Sequence, residues 1–150
     1  MVRLVVRESA IAGKGCFALE DIPKGTLLGE YTGPIISFEE ADDIYGEDED
    51  TYLFSLEGNM CIDATHIEHD MKYVNHCCEP NCEATEEDSK VFYHAKKDIK
   101  AGEELTVDYQ LISENEDKCF CGAEICRGTM RDVSDTTNQD SKILEMVVYK

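Results

Sequence analysis

The amino-acid sequence predicts a mainly β chain of short strands joined by tight turns. Short strand-like stretches of five or six residues, each carrying β-branched or aromatic side chains, recur along the chain, as in Thr26-Leu27-Leu28-Gly29-Glu30-Tyr31, Tyr52-Leu53-Phe54-Ser55-Leu56 and Val91-Phe92-Tyr93-His94-Ala95. Turn chemistry separates them, most clearly in Asp21-Ile22-Pro23-Lys24-Gly25 and its echo Asp98-Ile99-Lys100-Ala101-Gly102. Helical periods are nearly absent, which argues against a parallel sheet with crossover helices.

Taken in order, residues 2–6 form a β-branched run and a first strand, followed by Gly13-Lys14-Gly15, whose two glycines let the backbone come close to a neighbour or ligand. As a phosphate loop this stretch is incomplete, and a plain turn between strands explains it equally well. After the turn at Gly33-Pro34 and the pair Ile35-Ile36, Ser37-Phe38-Glu39-Glu40 has the capping-box spacing and starts a short helix. Glu47-Asp48-Glu49-Asp50 reads as a solvated acidic loop. Tyr52-Leu53-Phe54-Ser55-Leu56 and Met60-Cys61-Ile62-Asp63 flank Glu57-Gly58-Asn59 as a hairpin. Residues 66–71 fit no single pattern, 83–90 read as a polar loop, and 104–109 alternate as a strand does. Residues 112–118 form a polar linker, 132–140 a mobile polar stretch, and 143–149 an apolar run able to dock as a strand or helix.

With 150 residues the chain has enough length for one domain with a packed core. Asp and Glu number 33 against 14 Lys and Arg, a formal net charge of −19. Such a balance disfavours nucleic acid, which would be repelled, and suits a basic protein partner; solubility alone explains it equally well. Charges interrupt the first eight residues, so neither a signal-peptide core nor a membrane span is expected there, and a soluble intracellular protein follows. In that setting the eight cysteines favour a metal over disulfides.

Two stretches carry the chemistry. Tyr73-Val74-Asn75-His76-Cys77-Cys78-Glu79-Pro80-Asn81-Cys82 packs amide, imidazole and thiol groups around a turn, the composition of a ligand or metal site. Cys119, Cys121 and Cys126 form a compact cluster, but a structural zinc site needs four ligands. Cys16, Cys61, Cys77, Cys78 and Cys82 are all candidates for the fourth.

Together these stretches resemble the SET-domain protein lysine methyltransferases over nearly the whole chain. Gly13-Lys14-Gly15 is similar to the family's first cofactor loop, Glu30-Tyr31-Thr32-Gly33 to its Tyr-x-Gly strand end, and Tyr52-Leu53-Phe54 with Ile62-Asp63-Ala64 to its central hairpin. Asn75 to Cys82 resembles the Asn-His-Ser-Cys-x-Pro-Asn-Cys signature, Gly102-Glu103-Glu104-Leu105-Thr106-Val107-Asp108-Tyr109 the second signature, and the cysteine cluster a post-SET zinc motif.

The resemblance implies a SET-domain fold of several small sheets with a C-terminal pseudoknot. It places the SET domain at 1–112, a post-SET zinc-binding segment at 113–131 and a tail at 132–150. It implies S-adenosylmethionine as cofactor, held near Gly13, Lys14, Gly15, Cys16, Tyr73, Asn75 and His76 and reached by Tyr109. Tyr109 matches the catalytic tyrosine and Tyr52 a second tyrosine lining the lysine channel, with zinc on Cys78, Cys119, Cys121 and Cys126. Residues 127–130 would wall the cofactor or channel; Cys82, Cys61 and the Cys16 thiol are expected in the core. The implied activity is methyl transfer to a lysine of a basic protein such as a histone tail, in the nucleus or on chromatin if the source is eukaryotic or the substrate a host histone, otherwise in the cytoplasm. The alternative is a SET-like zinc module that binds basic peptides without catalysis. Two residues depart from the family pattern: Cys77 stands for the usual Ser, and Val107 for a frequent Phe or Tyr tied to the number of methyls added.

Overall fold

The computed structural model describes residues 2–46, 51–109, 119 and 121–129, and the backbone of 146–149. A first hairpin joins β1 (Leu4–Glu8) to β2 (Lys14–Ala18), antiparallel. Next come β3 (Leu27–Tyr31), β4 (Ile35–Ser37), helix α1 (Phe38–Tyr45), β5 (Thr51–Ser55) and β6 (Met60–Asp63). A 3₁₀ turn at Asp70–Tyr73 leads into β7 (Asn75–His76), then β8 (Cys82–Glu87), β9 (Lys90–Ala95), β10 (Thr106–Val107) and β11 (Met146–Tyr149). Strands β3, β9 and β8 form one antiparallel sheet, β11, β5, β6 and β4 another, and β7 lies parallel to β10. This is the arrangement of several small sheets that the resemblance implies.

Local chemistry explains most elements. Ser37 Oγ accepts the Glu40 N–H at 3.1 Å while the Glu40 carboxylate accepts the Ser37 N–H at 2.9 Å, so α1 starts on a complete capping box. It buries Ala41 and Tyr45 against Leu53 and Cys61. The Tyr45 hydroxyl donates to Asp63 at 2.6 Å and ties the helix to β6.

The two similar turns pair with each other. Ile22 and Ile99 exchange both backbone hydrogen bonds, at 2.7 and 2.8 Å. Asp98 accepts the Lys24 N–H at 2.8 Å, and Asp21 accepts the Ala101 N–H at 2.9 Å. Gly25 and Gly102 hold nearly equal left-handed φ values of +88° and +90°, a conformation glycine adopts without penalty. The repeated turn chemistry is therefore one approximately twofold joint, which fixes 102–109 relative to the first hairpin.

Two expectations need correction. Residues 83–90 are not a loop: β8 and β9 pair throughout, and Asp88 and Ser89, with φ of 52° and 61°, make the two-residue turn. One face of β8 is solvated, so its acidic residues mask the alternation; the left-handed pair matches the twist a hairpin turn needs. Conversely, the strand expected over 104–109 shrinks to Thr106–Val107, because Asp108 and Tyr109 turn aside to side-chain partners. The expected apolar run at the C-terminus docks as a strand, β11, on the edge of β5. The acidic run 47–50, the linker 112–118 and the stretch 132–140 lie outside the described residues.

The main core gathers Tyr31, Phe54, Val74, Val91, Tyr93, Ile99 and Leu105, all under 2% exposed, with Cys16 and Cys82 among them. Among the described residues no helix is long and apolar enough to cross a membrane.

Candidate active site and metal centre

The two signature stretches meet at the parallel pair, where Asn75 faces Thr106 and His76 faces Val107. The turn after them is clamped from the opposite strand: Asn81 accepts the Thr106 N–H at 2.9 Å and donates its amide to the Glu104 carbonyl at 2.8 Å. Main-chain hydrogen bonding from Cys77 N–H to the Val107 carbonyl at 3.1 Å extends the contact.

Asn75, 2% exposed, turns its side chain inward. Its amide donates to the carbonyls of Ala12 (3.1 Å) and Lys14 (3.0 Å) and to a Glu104 carboxylate oxygen (2.8 Å). The same carboxylate accepts the Ser9 hydroxyl at 2.7 Å. A Cβ on Gly15 would lie 2.2 Å from that oxygen, so glycine is what lets the loop close over the polar hub. Gly13, Lys14, Gly15, Tyr73 and Asn75 are thus drawn to one edge, with the Lys14 ammonium 5.7 Å from the Tyr73 ring centre. Cys16 is fully buried, its carbonyl accepts the Leu105 N–H at 2.7 Å, and burial raises its thiol to about 12.

Tyr109, 4% exposed, donates its hydroxyl to the Val74 carbonyl at 2.8 Å and its N–H to His76 Nδ1 at 3.0 Å. Burial, reinforced by Tyr52 and Glu104, pushes its phenol well above the ordinary range and keeps it neutral. His76 is 2% exposed; burial lowers its pKa to about 4 although Asp108 stands 3.7 Å away. Its Nε2 lies 3.4 Å from Cys78 Sγ.

Two further residues belong to this neighbourhood and were given no role from sequence. Tyr31 is completely buried, and among the described residues its hydroxyl has no hydrogen-bond partner. After burial itself, Tyr109 and Tyr52 act most strongly on its ionisation. A buried unpaired hydroxyl costs about 1–3 kcal/mol, so an incoming polar group is its natural partner. Its place in the Tyr-x-Gly strand end was the available signal.

Lys72, 3% exposed, is the second. Its ammonium donates to the carbonyls of Ala64 (3.1 Å) and Ile67 (3.0 Å) and stands 4.8 Å from the Tyr52 ring centre and 5.3 Å from that of Tyr73. The turn it holds also grips Tyr52: Thr65 accepts the Tyr52 N–H at 3.1 Å, and the Ala64 N–H donates to the Tyr52 carbonyl at 2.8 Å. Tyr52 and Tyr73 then meet edge to face, with ring centres 5.9 Å apart.

The four cysteines assigned to metal come together, every Sγ within 4.8 Å of the others. Cys78 Sγ is 3.7 Å from Cys119 Sγ and 3.9 Å from Cys126 Sγ. Tetrahedral thiolates at a zinc–sulfur distance of about 2.3 Å place sulfurs about 3.8 Å apart, so the donor set fits such an ion in type, number and spacing. Backbone N–H groups of Arg127 and Gly128 point at Cys78 Sγ (3.3 Å) and Cys126 Sγ (3.4 Å), as thiolates require. Burial opposes ionisation of Cys121, but backbone donors from Cys78 and Ala123 outweigh it and lower that thiol to about 6. Cys61, Cys77 and Cys82 stay outside the set; Cys77 accepts the Glu79 N–H at 3.4 Å. Arg127, expected as a wall residue, forms a two-pronged ion pair with Asp108 at 2.7 and 3.0 Å, anchoring the cysteine segment beside Tyr109.

Comparison with known proteins identifies the family. Residues 13–110 match the SET domain family. The chain is 36% identical over 138 residues to an H3 lysine-4 specific histone-lysine N-methyltransferase of Mycosarcoma maydis, covering 83% of this chain and 9% of the relative. It is 39% identical over 131 residues to the H3 lysine-4 specific enzyme of Schizosaccharomyces pombe (80% and 14%), and 38% identical over 133 residues to human histone-lysine N-methyltransferase 2D (81% and 2%). The chain therefore spans only a small part of the length of these relatives. With the match running through both signature stretches, the chain belongs to the SET-domain family.

Proposed function

We propose that this chain is a protein-lysine N-methyltransferase that transfers a methyl group from S-adenosylmethionine to a lysine of a basic protein, with a histone tail as the substrate the relatives' names favour. The observation that carries this reading is the buried tyrosine group: neutral Tyr109 beside the Val74 carbonyl, with Tyr31 and Tyr52 as its neighbours.

When bound, S-adenosylmethionine supplies a methyl on a sulfonium, open to in-line attack by an amine. The protein's contribution is then positioning and desolvation. The edge formed by Gly13, Lys14, Gly15 and Cys16 with Tyr73, Asn75 and His76 offers backbone groups to the cofactor, while the Asn75 side chain holds that edge in place. Tyr52 lines the lysine entry, and the hydroxyls of Tyr31 and Tyr109 orient the amine. A free lysine has a pKa of about 10.4 and must be neutral to attack; an aromatic channel next to a cation lowers that value. Burial keeps Tyr109 a protonated phenol with no phenolate to act as base, so the proton leaves to solvent.

Zinc is the ion we assign to Cys78, Cys119, Cys121 and Cys126, where it closes the post-SET segment over the site. The domain division at 1–112, 113–131 and 132–150 and a nuclear or chromatin location follow from the same reading. Radiolabelled methyl transfer to a mixture of histones tests it. Transfer that falls about 10²-fold or more in Tyr109→Phe with cofactor binding intact is expected. Binding of basic peptides without transfer by the unaltered protein would replace it with the non-catalytic module.

A further inference from the structure

We propose that His76 is a positioning residue that ties the metal-thiolate centre to the backbone of Tyr109, donating through Nε2–H to Cys78 Sγ and accepting through Nδ1 from the Tyr109 N–H. The inference rests on the reading of Tyr109 as the residue that orients the amine.

Hydrogen-bond logic sets the tautomer. A backbone N–H can only donate, so the 3.0 Å contact from Tyr109 requires a lone pair on His76 Nδ1. A neutral imidazole then carries its single proton on Nε2, whose partner at 3.4 Å is Cys78 Sγ. Protonating Nδ1 instead would strand the buried Tyr109 N–H. Among the described residues the carboxylate paired with this ring, Asp108 at 3.7 Å, is already held by the Arg127 guanidinium through both oxygens.

Cys78 is distinct among the four thiols. It belongs to the domain body, two residues after His76, whereas Cys119, Cys121 and Cys126 come from the C-terminal segment. Its sulfur receives two N–H donors, the Arg127 backbone at 3.3 Å and the imidazole. Both donors lead back to the Tyr109 region, one through the ring to the Tyr109 amide and one through the Arg127–Asp108 pair. Metal and tyrosine are therefore linked by two short, independent routes. Because such coupling is reciprocal, ordering Tyr109 tightens the metal as much as the metal orders Tyr109.

Two substitutions separate the arms of the ring. His76→Gln places an amide N–H where Nε2 stood and keeps the sulfur contact alone. His76→Asn places a carbonyl oxygen near the Nδ1 position and keeps the Tyr109 contact alone. In Co²⁺-loaded full-length protein, the sulfur-to-metal charge-transfer absorption reports the hydrogen bonding of the thiolates. We expect it to move to lower energy in His76→Asn and to stay near the parent position in His76→Gln. Exchange of the Tyr109 amide proton should behave oppositely, accelerating more than tenfold in His76→Gln only. In the unaltered zinc-loaded protein, long-range ¹H–¹⁵N spectra of His76 need no variant and should show the proton on Nε2.

A proton on Nδ1, an unmoved absorption in His76→Asn, or failure to take up Co²⁺ overturns the proposal. These readouts are independent of turnover. Absent methyl transfer with the expected spectra would remove Tyr109's role and leave the link, whereas active transfer with the wrong tautomer would remove the link and leave the function.

Discussion

Tyr31 shows at the level of a single residue how a site departs from good core packing. Its ring packs on Phe54 with centroids 5.3 Å apart, yet its hydroxyl is fully buried and unpaired among the described residues. Tyr31→Phe removes that orphan, so denaturant unfolding should show stability unchanged or increased by up to about 1 kcal/mol, while methyl-transfer kinetics change. A loss of more than about 1 kcal/mol would mean that the hydroxyl has a partner in the folded protein. Lys72 is the opposite case, a buried ammonium engaged by carbonyls and by the Glu68 carboxylate at 3.4 Å. Lys72→Met should cost about 2–4 kcal/mol in urea unfolding, because the carbonyls of 64–67 lose their donor, and should loosen Tyr52 with them. An unchanged midpoint would contradict this. Neither role was legible beforehand, since an unpaired hydroxyl or a caged ammonium is a property of tertiary packing. The four-thiol cluster was half legible: the spacing of Cys119, Cys121 and Cys126 marked a candidate centre, but the residues alone left five candidates for the fourth thiol, and only the resemblance singled out Cys78.

Among the elements, what could be read in advance was whatever rests on local chemistry. The capping box of α1 and the turn around Glu57-Gly58-Asn59 involve near neighbours, and both form as expected. Strand β8 was missed because residues 83, 86 and 87 are all glutamates, which hide a strand exposed on one face. Strand β10 was overextended because Asp108 and Tyr109 alternate correctly but are recruited by Arg127 and His76. The β8–β9 turn offers a direct test, since Asp88 and Ser89 both hold left-handed φ values that Asn-Gly adopts more readily. Replacing Asp88-Ser89 by Asn-Gly should raise stability by about 0.5–1 kcal/mol in thermal unfolding. Destabilisation would show that one of the two side chains has a role the turn geometry does not reveal.

For the molecule as a whole, the arrangement is economical: the parallel pair β7–β10 carries the Asn75 contact to the glycine edge on one side and the His76 contact to Cys78 of the four-cysteine cluster on the other. The chain carries a formal net charge of −19, which would favour encounter with Lys- and Arg-rich tails and repel polyanions. Salt screens such steering over a Debye length of about 8–10 Å. We therefore expect kcat/KM for a basic peptide to fall roughly tenfold between low salt and about 0.3 M, mostly through KM. A flat salt profile would assign the acidic surface to solubility alone. The most direct test of the central claim is mass spectrometry of histones incubated with the zinc-loaded protein and S-adenosylmethionine. Methylated lysine is expected with the unaltered chain and little or none with Tyr109→Phe; unmodified histones from an unaltered protein that holds both zinc and cofactor would rule out the methyltransferase reading.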